Sequence, residues 1–331
     1  MAHAADAVAE RGVRVERVSL GRWSLSTAFA LLAGSHLRRR GLVYMSYPTE
    51  GYGKSLLPFL LALGARRSVV LHIHEYTSKN RYCRFLLRRF NRMRRIYFSN
   101  APDHEQFIRD CGLADQAGRT EGWQVLPTPS NIPVTATREE RRDGGPLRIV
   151  HFGQIRPLKG LETLAEAFRL LAFTPSIELT LVGGVPRGYE DYARGIAATF
   201  RQAGARVLLD LPVDRLSQAL AESDIGVFWF PDGADERRGS LAAAMAHGIL
   251  CITTHSQRTQ AALRAATVGI DLDARADATC DSERIADAVR AVIGEGSTER
   301  LTAIAQAGQR LARSASFEGI ARRLMDDEPT L

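Results

Sequence analysis

Three stretches of this sequence gather the residue types that anion chemistry needs. "HFGQIRPLKGLE" (151–162) follows Gly153 and Gln154 with two cations, Arg156 and Lys159. "FPDGADERRGSLAAAMAHG" (230–248) sets Asp235, Glu236, Arg237 and Arg238 before Gly239, Ser240 and Leu241. Cations can offset negative charge on a phosphate. A glycine–serine helix start offers backbone N–H groups that no helical carbonyl takes, a ready phosphate site. The third stretch, "PTEGYGKS" (48–55), ends like a nucleoside-triphosphate P-loop. That loop has the pattern G-x-x-x-x-G-K-[ST], and Pro48 stands where its first glycine belongs. Proline has no N–H for a phosphate and a fixed φ, so the ATPase reading fails. Glu50, Gly51, Tyr52, Gly53 and Lys54 form instead a glycine turn leading into a helix. Lys54 falls near that helix's positive end, unfavourable unless an anion offsets it. The turn reads either as a cleft wall that meets a ligand or as a plain helix start.

Histidines supply the other candidate chemistry. In "HIHEY" (72–76), His74 and Glu75 sit at a strand end, where His74 is either a ligand-binding group or an ordinary satisfied histidine. His72 is assigned to the opposite face of that strand, and His151 and His247 to structural roles. No clustering of residues suggests a metal site, and no general base is obvious.

These groups need elements to hold them. Short β-rich runs at 14–18, 41–47, 68–73, 95–99 and 123–127 fill the first half, and others at 147–153, 177–184, 205–211, 224–230 and 249–254 the second. Helical patterns alternate with them, near 160–172, 189–203, 214–223, 240–247 and 283–313. That alternation predicts parallel α/β layers, and in such sheets ligands bind beyond the carboxyl ends of the strands. Both loops at 154–160 and 230–239 fall there. The polar stretch "TREERRDGGP" (137–146) reads as a linker, so the domains are taken as 1–142 and 143–316. The chain starts on a helical pattern, without the first strand and glycine-rich turn expected of a doubly wound domain.

A chain of 331 residues with 45% hydrophobic and 24% charged residues fits a two-domain globular protein. Its charge of +7 is uneven. Residues 1–146 carry 23 basic and 13 acidic side chains, a net +10, and residues 147–331 carry 21 and 24, a net −3. The halves therefore face different partners. Cys83, Cys111, Cys251 and Cys280 show no C-x-x-C spacing, which argues against a disulfide framework and for a reducing compartment. Neither a signal peptide nor a membrane span is evident, so a cytoplasmic location is expected. In "RFLLRRFNRMRRIY" (84–97), Leu86, Phe90, Met93 and Tyr97 share one helical face, with Arg84, Arg88, Arg92 and Arg95 on another. A basic amphipathic helix can rest on an anionic membrane surface, here the inner face. An ordinary helix with a buried stripe is the alternative. Nucleic acid is not expected, because no stacking pattern accompanies the arginines.

"FGQIRPLKG" followed by "ERRGSLAAAMAHGILCIT" resembles the nucleotide-sugar half of GT-B glycosyltransferases, most closely glycosyltransferase family 4, over about residues 147–320. "LHIHEY" and "VLPTPSNIP" extend the likeness weakly into the first half. The resemblance implies two facing Rossmann-like domains, with a last helix near 317–326 within 317–331 returning to the first. It also implies transfer of a sugar from a nucleotide-sugar donor, with retention, to a sugar, lipid-linked or small-molecule acceptor, with no cofactor or metal required. Lys159 falls at the family's diphosphate-binding lysine and Glu236 and Gly239 at the start of its second motif. The turn of Glu50 to Lys54 would wall the cleft for the acceptor or the donor phosphate, and His74 and Glu75 would face the acceptor. Two positions depart. Gln154 replaces a basic residue, with Arg156 a candidate substitute, and Ala243 replaces the glutamate that holds the nucleotide ribose. The spacing from Glu236 to "AMA" is one residue short, which leaves Asp235 as a competing alignment. A GT-B-like sugar-nucleotide epimerase and an inactive GT-B binding subunit remain alternatives.

Overall fold

The computed structural model describes residues 9, 43–47, 69–136, 145–272 and 281–326. The 48–55 turn, with Glu50, Gly51, Tyr52, Gly53 and Lys54, lies outside the described residues, as do the strand expected at 14–18 and the linker core at 137–144. The chain divides into two compact units, Met1–Pro127 and Thr128–Leu331.

The first unit contains β1 (Val43–Tyr47), β2 (Val69–Ile73), α1 (Arg81–Leu87), β3 (Ile96–Phe98), α2 (Ala101–Cys111), α3 (Ala117–Thr120) and β4 (Trp123–Val125). The strands pair in parallel in the order β1-β2-β3-β4. Every residue of β2 is buried, as expected of a parallel strand covered on both faces. Helix α2 starts where Asn100 accepts the Asp103 N–H and stops at Gly112, whose φ of 66° closes the last turn. Its Phe107 packs against Tyr76, Phe98 and Trp123 with ring centroids 5.1, 5.3 and 5.4 Å away.

The amphipathic helix expected over 84–97 does not form. Helix α1 ends at Leu87, a 3-10 turn covers Arg88–Arg92, and Met93 is already extended, leading into β3. Phe90, Met93 and Tyr97 are buried and Leu86 packs on the same core. The apolar stripe is core, because burying those side chains outweighs the helical spacing of the sequence. No helix among the described residues is long and apolar enough to cross a membrane.

The second unit runs β5 (Leu147–Gln154), α4 (Leu161–Leu171), β6 (Ile177–Gly184), α5 (Glu190–Gln202), β7 (Arg206–Leu209), α6 (Val213–Ala221) and β8 (Ile225–Phe228). It continues through α7 (Gly239–Ala246), β9 (Leu250–His255), α8 (Ala261–Ala265), β10 (Val268–Asp271), α9 (Asp281–Glu295), α10 (Glu299–Ser314) and α11 (Phe317–Asp326). Its parallel sheet has the order β10-β9-β8-β5-β6-β7. The chain thus builds outward from β5 in one direction, then restarts at β8 in the other, and the switch point lies between β5 and β8.

Alternate strand residues feed two cores. Ile149, Leu181 and Ile252 join Phe168 and Phe200 on one face, while Val150, Val182 and Cys251 join Leu241 and Met245 on the other. A bidentate Arg148–Asp224 pair, with Nε–Oδ2 at 3.1 Å and Nη2–Oδ1 at 3.0 Å, clamps the start of β5 beside β8. The connector after β4 also belongs here. Ile132 is in the second core, Thr128 N–H donates to the Glu236 carbonyl at 2.9 Å, and Thr135 N–H donates to Ser217 Oγ at 3.0 Å. The helix expected over 283–313 is two helices. Gly296, with φ 67°, ends the first, and the Thr298 side chain caps the second.

Candidate phosphate-binding site at the strand switch point

Strand β5 ends at Gly153 and Gln154, and Ile155 then turns inward, fully buried, its N–H on the Gly184 carbonyl at 2.9 Å. That anchor throws the next four residues outward. Arg156 is half-buried and its Nε donates to Gln154 Oε1 at 3.2 Å. Where the family resemblance expects a basic residue, the amide of Gln154 therefore orients a cation two positions on. Leu158 is 91% exposed and left-handed at φ 65°, a strain of the kind found at ligand loops. Lys159 is half-buried at the entry to α4. Any side chain at Gly160 is strained, because its φ is 70° and a Cβ would sit 2.5 Å from Cδ1 of the buried Trp229. Trp229, which no motif singles out, is the floor of this loop.

The second loop leaves β8 through buried Trp229 and Phe230 and reaches α7. Asp235 is 2% exposed and is the electrostatic centre. Arg237 donates to Asp235 Oδ2 through Nε at 3.0 Å and Nη2 at 2.5 Å, and its backbone N–H donates to Oδ1 at 3.0 Å. Arg238 pairs with Asp232, lies 3.7 Å from Asp235 and covers the Phe230 ring at 4.5 Å. The arginines are thus held inward and charge-compensated, not extended into solvent. Glu236 is half-buried and its carbonyl holds Thr128. Gly239 and Ser240 open α7 half-buried, with no side-chain cap on its first turn. Leu241 is in the core, so it can offer a ligand only its backbone. Ala243 is fully buried in that core and carries no carboxylate.

Two histidines of this unit are structural. His151 Nδ1–H donates to the Val227 carbonyl at 2.8 Å, tying β5 to β8, and burial pushes its imidazole down to about 4. His247 bonds the Ala243 carbonyl at 2.8 Å and Ser217 Oγ at 2.9 Å.

In the first unit, His74 follows β2 and is half-buried. His72 is not on the opposite face. Residues two apart on a strand share a face, and the two rings lie 4.2 Å apart. Both reach Ser99, His72 Nε2 at 3.2 Å and His74 Nδ1 in a short contact. On its other side His72 Nδ1 meets the Tyr44 hydroxyl. Ser99 is recruited by register, since Ile73 pairs with Phe98 and the next residues, His74 and Ser99, become neighbours. Glu75, exposed and left-handed at φ 55°, pairs with Lys79 at 3.2 Å. The fully buried Asp103 fixes this loop. It accepts the Thr77 N–H at 2.8 Å, the Thr77 hydroxyl at 2.7 Å and the Asn100 amide at 2.8 Å. Tyr44 and Ser99 carry no sequence signal, because strand register is what brings them to the histidines, and Asp103 reaches the Thr77 loop from the first turn of α2. Among the described residues no cluster of His, Cys, Asp or Glu is arranged to hold a metal ion.

Residues 146–306 match the family described as glycosyl transferases group 1. No curated protein matches the chain. Among solved structures, a glycosyltransferase from Rickettsia africae superposes with a TM-score of 0.70 at 10% identity, covering 97% of this chain and 86% of that one. Anabaena HepE in complex with UDP and glucose gives 0.56 at 19%, covering 83% and 75%. Sucrose-phosphate synthase from Thermosynechococcus elongatus gives 0.58 at 16%, covering 91% and 76%. At such identities the structural likeness is one of fold. Residues 146–306 are thus similar to the group 1 glycosyltransferases, in a chain of two parallel-sheet units with the fold of GT-B glycosyltransferases.

Proposed function

We propose that this protein transfers a sugar from a nucleotide-sugar donor to an acceptor hydroxyl. One observation carries the reading: the Arg156–Lys159 loop and the N-terminus of α7 leave the carboxyl ends of β5 and β8, the two strands that flank the switch point. A diphosphate lying there meets a lysine, an arginine and helix N–H groups. In the reaction the bond from the anomeric carbon to the phosphate oxygen breaks and one to the acceptor oxygen forms. Negative charge grows on the leaving diphosphate, and fixed cations and N–H dipoles stabilise it without reorganising. The acceptor's proton passes to the leaving phosphate on the face it departs from, which gives retention. Ribose recognition needs a group other than residue 243, where the side chain is a buried methyl.

The test is a donor screen: purified protein with a panel of nucleotide sugars and candidate acceptors, reading nucleoside diphosphate release and the anomeric configuration of the product. Release with a retained anomer supports the proposal. Tight donor binding without release points to the binding-subunit alternative that Ala243 and Gln154 raise, and a changed sugar on an intact nucleotide points to an epimerase.

A further inference from the structure

We infer that Ser217 and His247 are positioning residues of the donor site proposed above, acting on it from behind through the connector 128–136. The inference rests on the transferase reading. The connector forms neither helix nor strand, yet it is fixed along its whole length. At its start, one residue past the unit boundary at Pro127, Thr128 N–H donates to the Glu236 carbonyl at 2.9 Å. In the middle, Ile132 is buried in the core that also holds Leu216, Leu241 and Met245. Ser130 Oγ closes a tight turn there, accepting the Ile132 N–H at 3.0 Å and donating to the Ile132 carbonyl at 3.1 Å. At its end, the Thr135 and Ala136 N–H groups converge on Ser217 Oγ at 3.0 and 3.4 Å.

That last anchor is set by α7. His247 closes the C-terminus of the helix, and its Nδ1 faces the Ala243 carbonyl at 2.8 Å. A carbonyl only accepts, so Nδ1 carries the ring proton and Nε2 keeps its lone pair. Burial lowers His247 against the opposing pull of the Ala243 bond, which favours this neutral ring. The Ser217 hydroxyl, 2.9 Å from Nε2, gives its one proton there, and its oxygen is left to accept the two connector amides. Ser217 is wholly buried and His247 is 3% exposed, so bulk water replaces neither partner. His247 lies eight residues beyond Gly239, about 12 Å along the helix, out of reach of an anion at the N-terminus. The pair therefore acts indirectly. It holds the far end of a strap whose near end holds the Glu236 loop, and it fastens that strap to the helix whose first turn is assigned to the diphosphate.

Amide hydrogen exchange and nucleotide binding test this together, with UDP, GDP, ADP and CDP titrated calorimetrically into the whole chain. Ser217→Ala should speed exchange at Thr135 and Ala136 about tenfold, the worth of one hydrogen bond. It should also speed exchange at Thr128 and weaken the tightest-bound of the four nucleotides about tenfold. Ser217→Thr, which keeps the hydroxyl, should restore all three readouts. Leu301→Ala, which trims the core on the other face of the sheet, should lower the melting point and leave nucleotide affinity as it is. If Ser217→Ala does not fold, Thr135→Pro deletes an amide donor at an exposed position and should weaken the nucleotide in the same direction. Faster exchange at Thr135 with unchanged Thr128 exchange and unchanged affinity overturns the inference, because the anchor is then a local brace. An equal loss of affinity in Leu301→Ala overturns it too, by making the effect one of general stability. A wild type that binds none of the four nucleotides overturns the donor reading and this inference with it. Nucleotide binding that ignores both connector variants overturns the inference alone.

Discussion

The two units place opposite chemistry at the ends of their central strands. In the second, β5 and β8 lead into Arg156, Lys159, Asp235, Arg237 and Arg238, with α7 opening beside them. In the first, β2 and β3 lead into imidazoles and hydroxyls that remain neutral. Charge in the second unit is divided further. Asp235 neutralises the arginine pair from within, whereas Arg156 is oriented only by a neutral amide. The lesson is that cation count is a poor guide to the site: Arg237 and Arg238 build the loop, and the Arg156–Lys159 loop is the better candidate to meet the donor. Both units hold a non-glycine residue in left-handed conformation just past the strand, Glu75 and Leu158. Rigid scaffolds can store such strain where a ligand needs a fixed loop.

This division of labour can be broken in four ways. The largest effect is expected from Lys159→Ala, which should lower turnover about 10²–10³-fold, as for loss of one charge-stabilising donor. Its unfolding free energy should change by no more than about 0.5 kcal/mol. Full activity with an unchanged melting point moves the diphosphate to Arg156 or to the arginine pair. Asp235→Ala should behave in the opposite way, leaving two arginines beside a cavity without their buried counter-ion. A loss of about 3 kcal/mol is expected in urea unfolding, the low end for a broken buried pair because both arginines keep some solvent contact. A near-neutral result would make the pair solvent-compensated and return Arg237 and Arg238 to the donor list.

Gly160→Ala sharpens the comparison at the loop itself. The added methyl meets Trp229 at a strained φ, and a loss of about 2 kcal/mol in stability is expected. A fully stable variant would show that the loop can leave its Trp229 floor. The smallest effect is the pH response. Burial holds His151 down to about 4, and burial with Arg264 nearby does the same for His255. The unfolded chain takes up those protons first, near pH 6.5, so stability is complete above that value and is lost as pH falls toward 4. Going from about pH 7.5 to 5.5 should cost about 1.4 kcal/mol for each histidine. His72 and His74, lowered in the same direction, add to the slope in the first unit. Flat stability over that window would mean that the buried rings ionise in the folded protein.

The sequence by itself determined the architecture of the second unit. β6 spans the expected 177–184, and α4, α5 and α7 lie within a residue of expectation, because apolar periodicity and glycine punctuation are local properties. It also marked the two loops, since a strand, a basic turn and a helix start are consecutive in the chain. What it misjudged was non-local. The Leu86–Tyr97 stripe has helical spacing, yet burial of Phe90 and Met93 and pairing of Tyr97 in β3 decided its conformation. β10 and α8, with four and five residues, are too short to show a period. The tertiary structure alone decided which charges are paired, that Trp229 lies beneath Gly160, and that Ser99 joins His72 to His74. The Ser99 contacts depend on register between strands distant in the chain, where a one-residue slip would turn those side chains to the other face. The charge pairs and the Gly160–Trp229 contact depend on loop conformations that only the packed fold fixes.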